Sequence, residues 1–293
     1  MKALRVFLLL YLFSSPFLIF SQNRDTTLKI RNTSIIIGSS SVIGFTLLHQ
    51  VWYKEYQNSK FHLYNDSKSW LQMDKLGHTY TANKLSEVFY STYRVAGMNN
   101  QKSAILGASL GLGFQTTIEV LDGFSSGWGF SWSDMAANAL GSLSFLSQQL
   151  LWQEEKLILK FSYHPTEYAE LRPEVLGSNF SERLLKDYNG QTYWLSFSPN
   201  IIFKKVPNWA CLSLGYSVNA KLVGDKEHYY DPIEGKNFFS NRQYLLSLDI
   251  DFSKLPIKKV WLKKIVKQFN YLKIPFPALM IQNQGASLKG IYF

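Results

Sequence analysis

The hydrophobic period of this chain changes past its middle, and that change divides it. From about residue 30 to residue 160, apolar residues recur at the three-and-four spacing of helices; beyond Gln191 they alternate or run together with Tyr, Val, Leu and Phe, as strands do. The reading is therefore α+β. A bundle of about four apolar helices fills 30–160, a connector with Pro165 and Pro173 fills 161–190, and a smaller antiparallel β region fills 191–293. Apolar residues make up 46% of the 293, enough for a core and too many for a disordered chain.

In the helical half, an apolar run from Ile35 to Trp52 is broken by Gly38, Ser39, Ser40, Ser41 and Gly44. Its length would span a bilayer, and its small polar residues equally suit close packing, so it is taken as a helix buried in the bundle. Tyr53 to Trp70, with Asn65 and Asp66, reads as a loop. A second helix starts near Met73 and carries Asp74, Lys75 and His78 before Ala82, Leu85, Val88 and Phe89; it ends near Gly97. The third runs from Ser103 to Leu121, with Ser103, Gly107 and Gly111 at every fourth position, where small residues let backbones approach. Gly129, Phe130 and Ser131 lead into the fourth, which ends near Trp152.

Polar side chains concentrate at one turn of this bundle. Glu119 and Asp122 close the third helix, and Asp134 and Asn138 open the fourth; spacings of three and four put each pair on one helical face. The glycine- and serine-rich link from Gly123 to Gly129 makes the two helices antiparallel, so the four groups meet near one end of a hairpin. Carboxylates in an apolar bundle cost several kcal/mol each unless paired, and Lys75 and His78 are the available compensation. Each residue also has an ordinary role. Ser131 with Asp134 fits a helix-capping S-x-x-D, Asp74 can cap the second helix, and Lys75 can be a solvated charge or a partner of Glu119 or Asp122. His78 can be a satisfied core residue, and Asn138 a stitch between helices.

The N-terminus, Lys2 and Arg5 before the apolar run Val6 to Phe20 and then Ser21, reads as a signal peptide over 1–21, with a retained anchor as the alternative. No cysteine follows it, which excludes a lipid-modified N-terminus there, and Cys211, the single cysteine, can form no intramolecular disulfide. The charge of +10 could favour nucleic acid, but an exported chain rarely meets any; anionic lipid, lipopolysaccharide phosphate or an outer-membrane protein is the expected partner. Nucleotide binding finds no motif, because Gly107, Gly111 and Gly113 lie inside a helix, and no G-x-S-x-G elbow is present.

In the second half the strands are read at Tyr193 to Ser198, Cys211 to Lys221 and Tyr244 to Phe252, with Asp225 to Asn241 as a polar loop. A basic amphipathic helix is read over 254–273. Ile257, Trp261, Ile265, Phe269 and Leu272 lie on one side and Lys259, Lys263 and Lys267 on the other, with Pro256 in its first turn. It either adsorbs to an anionic membrane or packs its apolar face on the strands. The terminal LKGIYF resembles the last strand of outer-membrane β-barrels, yet the strand candidates are too few for a complete barrel.

The motifs together carry a resemblance. D-K-x-x-H at Asp74, Lys75 and His78, E-x-x-D at Glu119 and Asp122, and G-x-S-x-x-D-x-x-x-N-x-x-G from Gly129 through Ser131, Asp134 and Asn138 to Gly141 resemble the YfiM-type family of predicted periplasmic lipoproteins. Their layout is also similar to that of VanZ-like membrane proteins. The resemblance covers about residues 70 to 150, and the whole chain looks like the long versions of Bacteroidetes-type bacteria. It implies an envelope location and a shared polar site, and no reaction.

Two functions are compatible with these residues. One is a non-enzymatic, membrane-associated envelope protein whose polar cluster fixes the bundle and whose basic C-terminal region contacts lipid or an outer-membrane partner. The other is an enzyme acting on a phosphate-bearing envelope lipid or glycan precursor. In it His78 is acid or base, Lys75 holds a phosphate oxygen, and Glu119, Asp122 and Asp134 bind a divalent metal or orient His78. With one histidine and no cysteine in the set, Mg, Ca or Mn would be preferred over Zn.

Overall fold

The computed structural model describes residues 25–49, 56–233 and 235–293. The apolar run Val6 to Phe20 and the end of the first apolar segment at Trp52 lie outside them. The chain forms two compact units, Met1–Ser67 with Gly77–Glu155, and Lys68–Leu76 with Lys156–Phe293.

The first unit is helical. Its elements are α1 (Thr26–Leu48), α2 (Met73–Val95, whose first turn counts with the second unit), α3 (Asn100–Gly123) and α4 (Trp132–Leu151). Three of them start on a side-chain cap. The Asp25 carboxylate accepts from the Thr27 amide, Asn99 from Lys102 and Ser131 from Asp134. The Asp25 cap corrects the sequence reading of α1, which begins nine residues earlier than Ile35. Nor is α1 a buried helix, since only Thr33, Ile37 and Gly44 along it are buried.

Close approach at glycines organises the packing. A Cβ on Gly107 would lie 2.7 Å from backbone atoms of Ser86 and Tyr90, and one on Gly111 would lie 2.8 Å from the Ser86 amide nitrogen. On α4, a Cβ at Gly141 would run into the Thr79 carbonyl. Thus α2 takes α3 on one side and α4 on the other. The pair α3–α4 is antiparallel: Asn100 donates to the Gln149 carbonyl at one end, and the Ser131 amide donates to Glu119 at the other. Ile37, Leu85, Phe89 and Tyr93, with Leu106, Leu110 and Phe114 beside them, form the apolar core. Among the described residues α3 alone is long and apolar enough to cross a membrane, a test that core helices also pass.

The second unit is built on an antiparallel sheet in the order β1 (Leu157–Tyr163), β2 (Gln191–Phe197), β3 (Ala210–Asn219), β6 (Asn241–Ile250), β7 (Phe276–Gln282) and β8 (Gly285–Tyr292). The hairpin of β4 (His228–Asp231) and β5 (Lys236–Phe239) is inserted between β3 and β6, in what the sequence reads as a plain polar loop. Strand β1 likewise replaces the expected end of the bundle and start of the connector. It is seven residues long with Lys160 at its centre, so its alternation is hard to see, but that lysine is buried and paired. Only short helices, α5 (Tyr168–Leu171), α6 (Pro173–Leu176) and α7 (Phe180–Lys186), fill the rest of the connector.

The sheet is rolled. Tyr292 on β8 shares a 3.2 Å hydroxyl contact with Thr192 on β2, although four strand spacings, roughly 19 Å if flat, separate them. Trp194, Leu245, Ala278, Met280 and Tyr292 pack inside the roll. The free edge of β1 is bridged by Leu272, and the Lys273 amide donates to the Phe161 carbonyl. Before α2, Trp70, Leu71 and Gln72 all have positive φ, strained for side-chain-bearing residues. Tyr216 and Arg242 both donate to the Leu71 carbonyl, which holds that turn on the sheet.

The basic helix is shorter than expected. α8 spans Val260–Lys267 and passes into a 3-10 turn, Gln268–Tyr271. Leu255 is extended and Pro256 precedes the helix instead of sitting in its first turn.

Candidate functional site

The polar residues that α2, α3 and α4 bring together lie where α3 ends and α4 begins. His78 Nδ1 is 3.1 Å from Asn138 Oδ1 and 3.4 Å from Glu119 Oε1, while Nε2 faces Asp134 Oδ1 at 3.9 Å. Gln115, one turn before Glu119, donates to the same Asn138 oxygen. Glu119 and Asn138 are within 1% of complete burial, and Glu119 Oε1 and Asn138 Nδ2 have no hydrogen-bond partner. An Nδ1–H aimed at Asn138 leaves Nε2 as the nitrogen able to accept a proton or bind a cation.

Burial pushes the Glu119 carboxyl up to about 8; His78 opposes this, while Asp134 and Asp122 add to it, and the Ser131 amide opposes it weakly. Glu119 is therefore a proton-holding acid near neutral pH; Asp134 is a ligand type suited to an oxygen-preferring divalent cation, and His78 would add a nitrogen ligand.

The start of α4 is held from the loop before α2. Ser131 caps Asp134 and its hydroxyl also donates to Asp66 Oδ1 at 2.5 Å; Ser133 donates to the same oxygen at 2.7 Å. The capping role expected for Ser131 is thus present, with a second bond added. Asp122, at the end of α3, is half-buried and acts on Glu119 through its charge.

Asp74 and Lys75 lie in the first turn of α2, Asp74 one turn before His78. Both belong to the second unit, where Lys75 meets Asp74 at 2.9 Å and Tyr188 donates to Asp74 at 3.0 Å. Asp74 lies within the first turn of α2 and is not its cap.

Sequence reasoning missed three groups. Gln115 carried a signal, the four-residue spacing to Glu119; Asp66, in a loop, carried none. The third is Lys84 with Glu87 at 3.1 Å and Glu155 at 3.6 Å. Burial opposes the Lys84 charge, but Glu155 and Glu87 outweigh it and hold its pKa up, while Glu155 itself is pushed up by burial and by Glu87.

A helical domain closed on carboxylates, amides and one histidine, joined to a rolled sheet, defines a class by architecture and not by reaction. Residues 63–148 match the family model described as predicted periplasmic lipoprotein (DUF2279), a domain of unknown function. The match runs from the loop holding Asp66 through most of α4 and so contains the whole polar cluster. No curated protein and no solved structure matches the chain. The description agrees with the leader-like N-terminal sequence, and the chain is an exported cell-envelope protein. Cys211, the single cysteine of the sequence, is buried in β3.

Proposed function

We propose that this is a membrane-associated protein of the periplasm or outer membrane, in which the polar cluster fixes the helical unit and α8 holds the other unit to an anionic lipid surface. The observation that supports it is the exposure of α8. No residue of that helix is buried, and Val260 and Trp261 are 69% and 61% exposed. Packing on the strands, the alternative open from sequence, does not use this face. An unpaired apolar stripe flanked by Lys258, Lys259, Lys263, Lys264 and Lys267 is the pattern of an interfacial helix, with hydrocarbon on one side and phosphate on the other. Co-sedimentation with phosphatidylglycerol vesicles tests it. Binding at low salt should fall strongly for a Lys263→Glu, Lys264→Glu, Lys267→Glu variant, and equal binding of variant and parent would refute the assignment.

A second reading rests on His78. With Nδ1 bonded to Asn138 and close to Glu119, Nε2 beside Asp134 has the arrangement of a general base or a cation ligand, as a metal-assisted or His-dependent enzyme on a phosphate-bearing envelope lipid or glycan precursor requires. Metal analysis of the purified protein beside His78→Ala and Asp134→Ala decides it: stoichiometric metal lost in folded variants supports it, and its absence in all three removes the metal form.

A further inference from the structure

The sheet of the second unit buries polar groups beside its apolar cluster and turns apolar residues outward. An antiparallel sheet in water turns its apolar side chains to the core and its polar ones out. Here the residues buried inside the roll include Lys160, Ser162, Ser196, Ser213, Ser217 and Asp249. Most of these polar groups meet one another, at Asp249 through Oδ2 and not Oδ1. Lys160 meets Asp249 at 2.9 Å with both side chains at 0% exposure, Ser196 and Ser213 donate to the same carboxylate oxygen, and Trp194 donates to Ser162.

The opposite face carries leucine. The register pairs Leu159 with Leu195, Leu195 with Leu214, Leu214 with Leu246, Leu246 with Leu279 and Leu279 with Leu288, one unbroken row across all six strands. Such a row is about 24 Å wide at roughly 4.8 Å per strand. On one side of it runs Phe161, Tyr193, Tyr216 and Tyr244, and on the other Leu157, Phe197, Leu212 and Leu248. From Leu214 to Leu288 the leucine row is exposed, as are Tyr244 and Leu248. A patch of this extent exceeds what soluble monomers ordinarily show to water.

We propose that this outward face is seated among the acyl chains of one leaflet of a bilayer. It deepens the membrane association proposed above and rests on it, because the lysines of α8, in the same unit, supply the charge complementary to anionic headgroups. The height of the face selects one leaflet. Three rows, two steps of two residues, span about 14 Å at roughly 3.4 Å per residue. That matches half of a hydrocarbon core of about 30 Å and falls short of the band of about 25 Å on spanning barrels. In the flanking row Tyr244 is exposed, an aromatic body with a polar tip suited to headgroup level, while Tyr193 and Tyr216 pack against Leu71 and Met73 and close the face on that side.

The test uses the full chain carrying Cys211→Ser, with a bimane label at Leu246→Cys or, as control, at Lys226→Cys in an exposed loop, mixed with phosphatidylglycerol vesicles containing acyl-chain nitroxide lipid. Quenching of the label at 246 by at least twofold, retained in high salt, with little at 226, is the expected result. Binding that is lost in high salt, with the 246 label unquenched at low salt, leaves the association through α8 standing and overturns the seating of the sheet. A 246 label already shielded without vesicles, together with a dimer in sedimentation, would assign the face to a second copy and overturn it as well. Failure to bind vesicles at any salt removes both proposals.

Discussion

The two units both bury charge, and they balance it differently. Inside the rolled sheet, Lys160 and Asp249 are paired at 2.9 Å, two serines donate to the same carboxylate, and the Ile250 carbonyl takes a second lysine bond. At the α3–α4 turn, Glu119 meets His78 but also feels Asp134 and Asp122, so burial and like charge act together on it. The difference teaches where a proton matters. A closed pair costs most when one half is deleted, whereas a cluster rich in acid responds to pH before it responds to deletion.

Deleting one half of the sheet pair is the largest expected effect. Lys160→Met leaves Asp249 charged and sealed, and should cost about 3–5 kcal/mol in denaturant unfolding; adding Asp249→Leu should recover much of it. A double variant as unstable as the single one would show that the pair is not what makes Lys160 necessary.

Next comes the packing that places the other cluster. Gly141→Ala must push the Thr79 carbonyl away from α4, with an expected loss of about 1–3 kcal/mol. A neutral result would mean that α2 and α4 separate without cost.

The contrast in pH response follows from Glu119. Its folded pKa, about 8, lies above its unfolded value of 4.5, so its stabilising proton is fully present below 4.5 and is lost as pH rises through about 8. Thermal unfolding should therefore show a midpoint falling across this window, and Glu119→Gln should flatten the fall and raise the midpoint at its alkaline end. Parallel curves for parent and variant would put the titration elsewhere.

The smallest change is Ser131→Ala, which removes the cap of α4 and one donor to Asp66; about 1 kcal/mol is expected, read by the same unfolding. If Ser133→Ala costs as much as Ser131→Ala, the bond to Asp66 outweighs the cap.

Much of this was legible in the residues. The order of helices then strands, the Ser131 cap, the glycines of α3 and the meeting of His78, Glu119, Asp134 and Asn138 follow from spacing, because one helical turn or one pleat sets which side chains share a face. Strand β1 and the β4–β5 hairpin were not legible, since four to seven residues give too few repeats to separate alternation from chance. Asp66 was invisible for another reason. Its partners Ser131 and Ser133 lie 65 and 67 residues away, and no local pattern encodes that contact.

The sequence by itself determined the order of a helical half and a strand half, the polar residues available to a site and the exported, basic character of the chain. Tertiary structure alone decided which way each face turned. Alternation tells that two faces differ but not which is inside; that depends on a register carried across six strands and on a lysine finding a carboxylate 89 residues later, contacts whose energy exists only once the sheet has rolled.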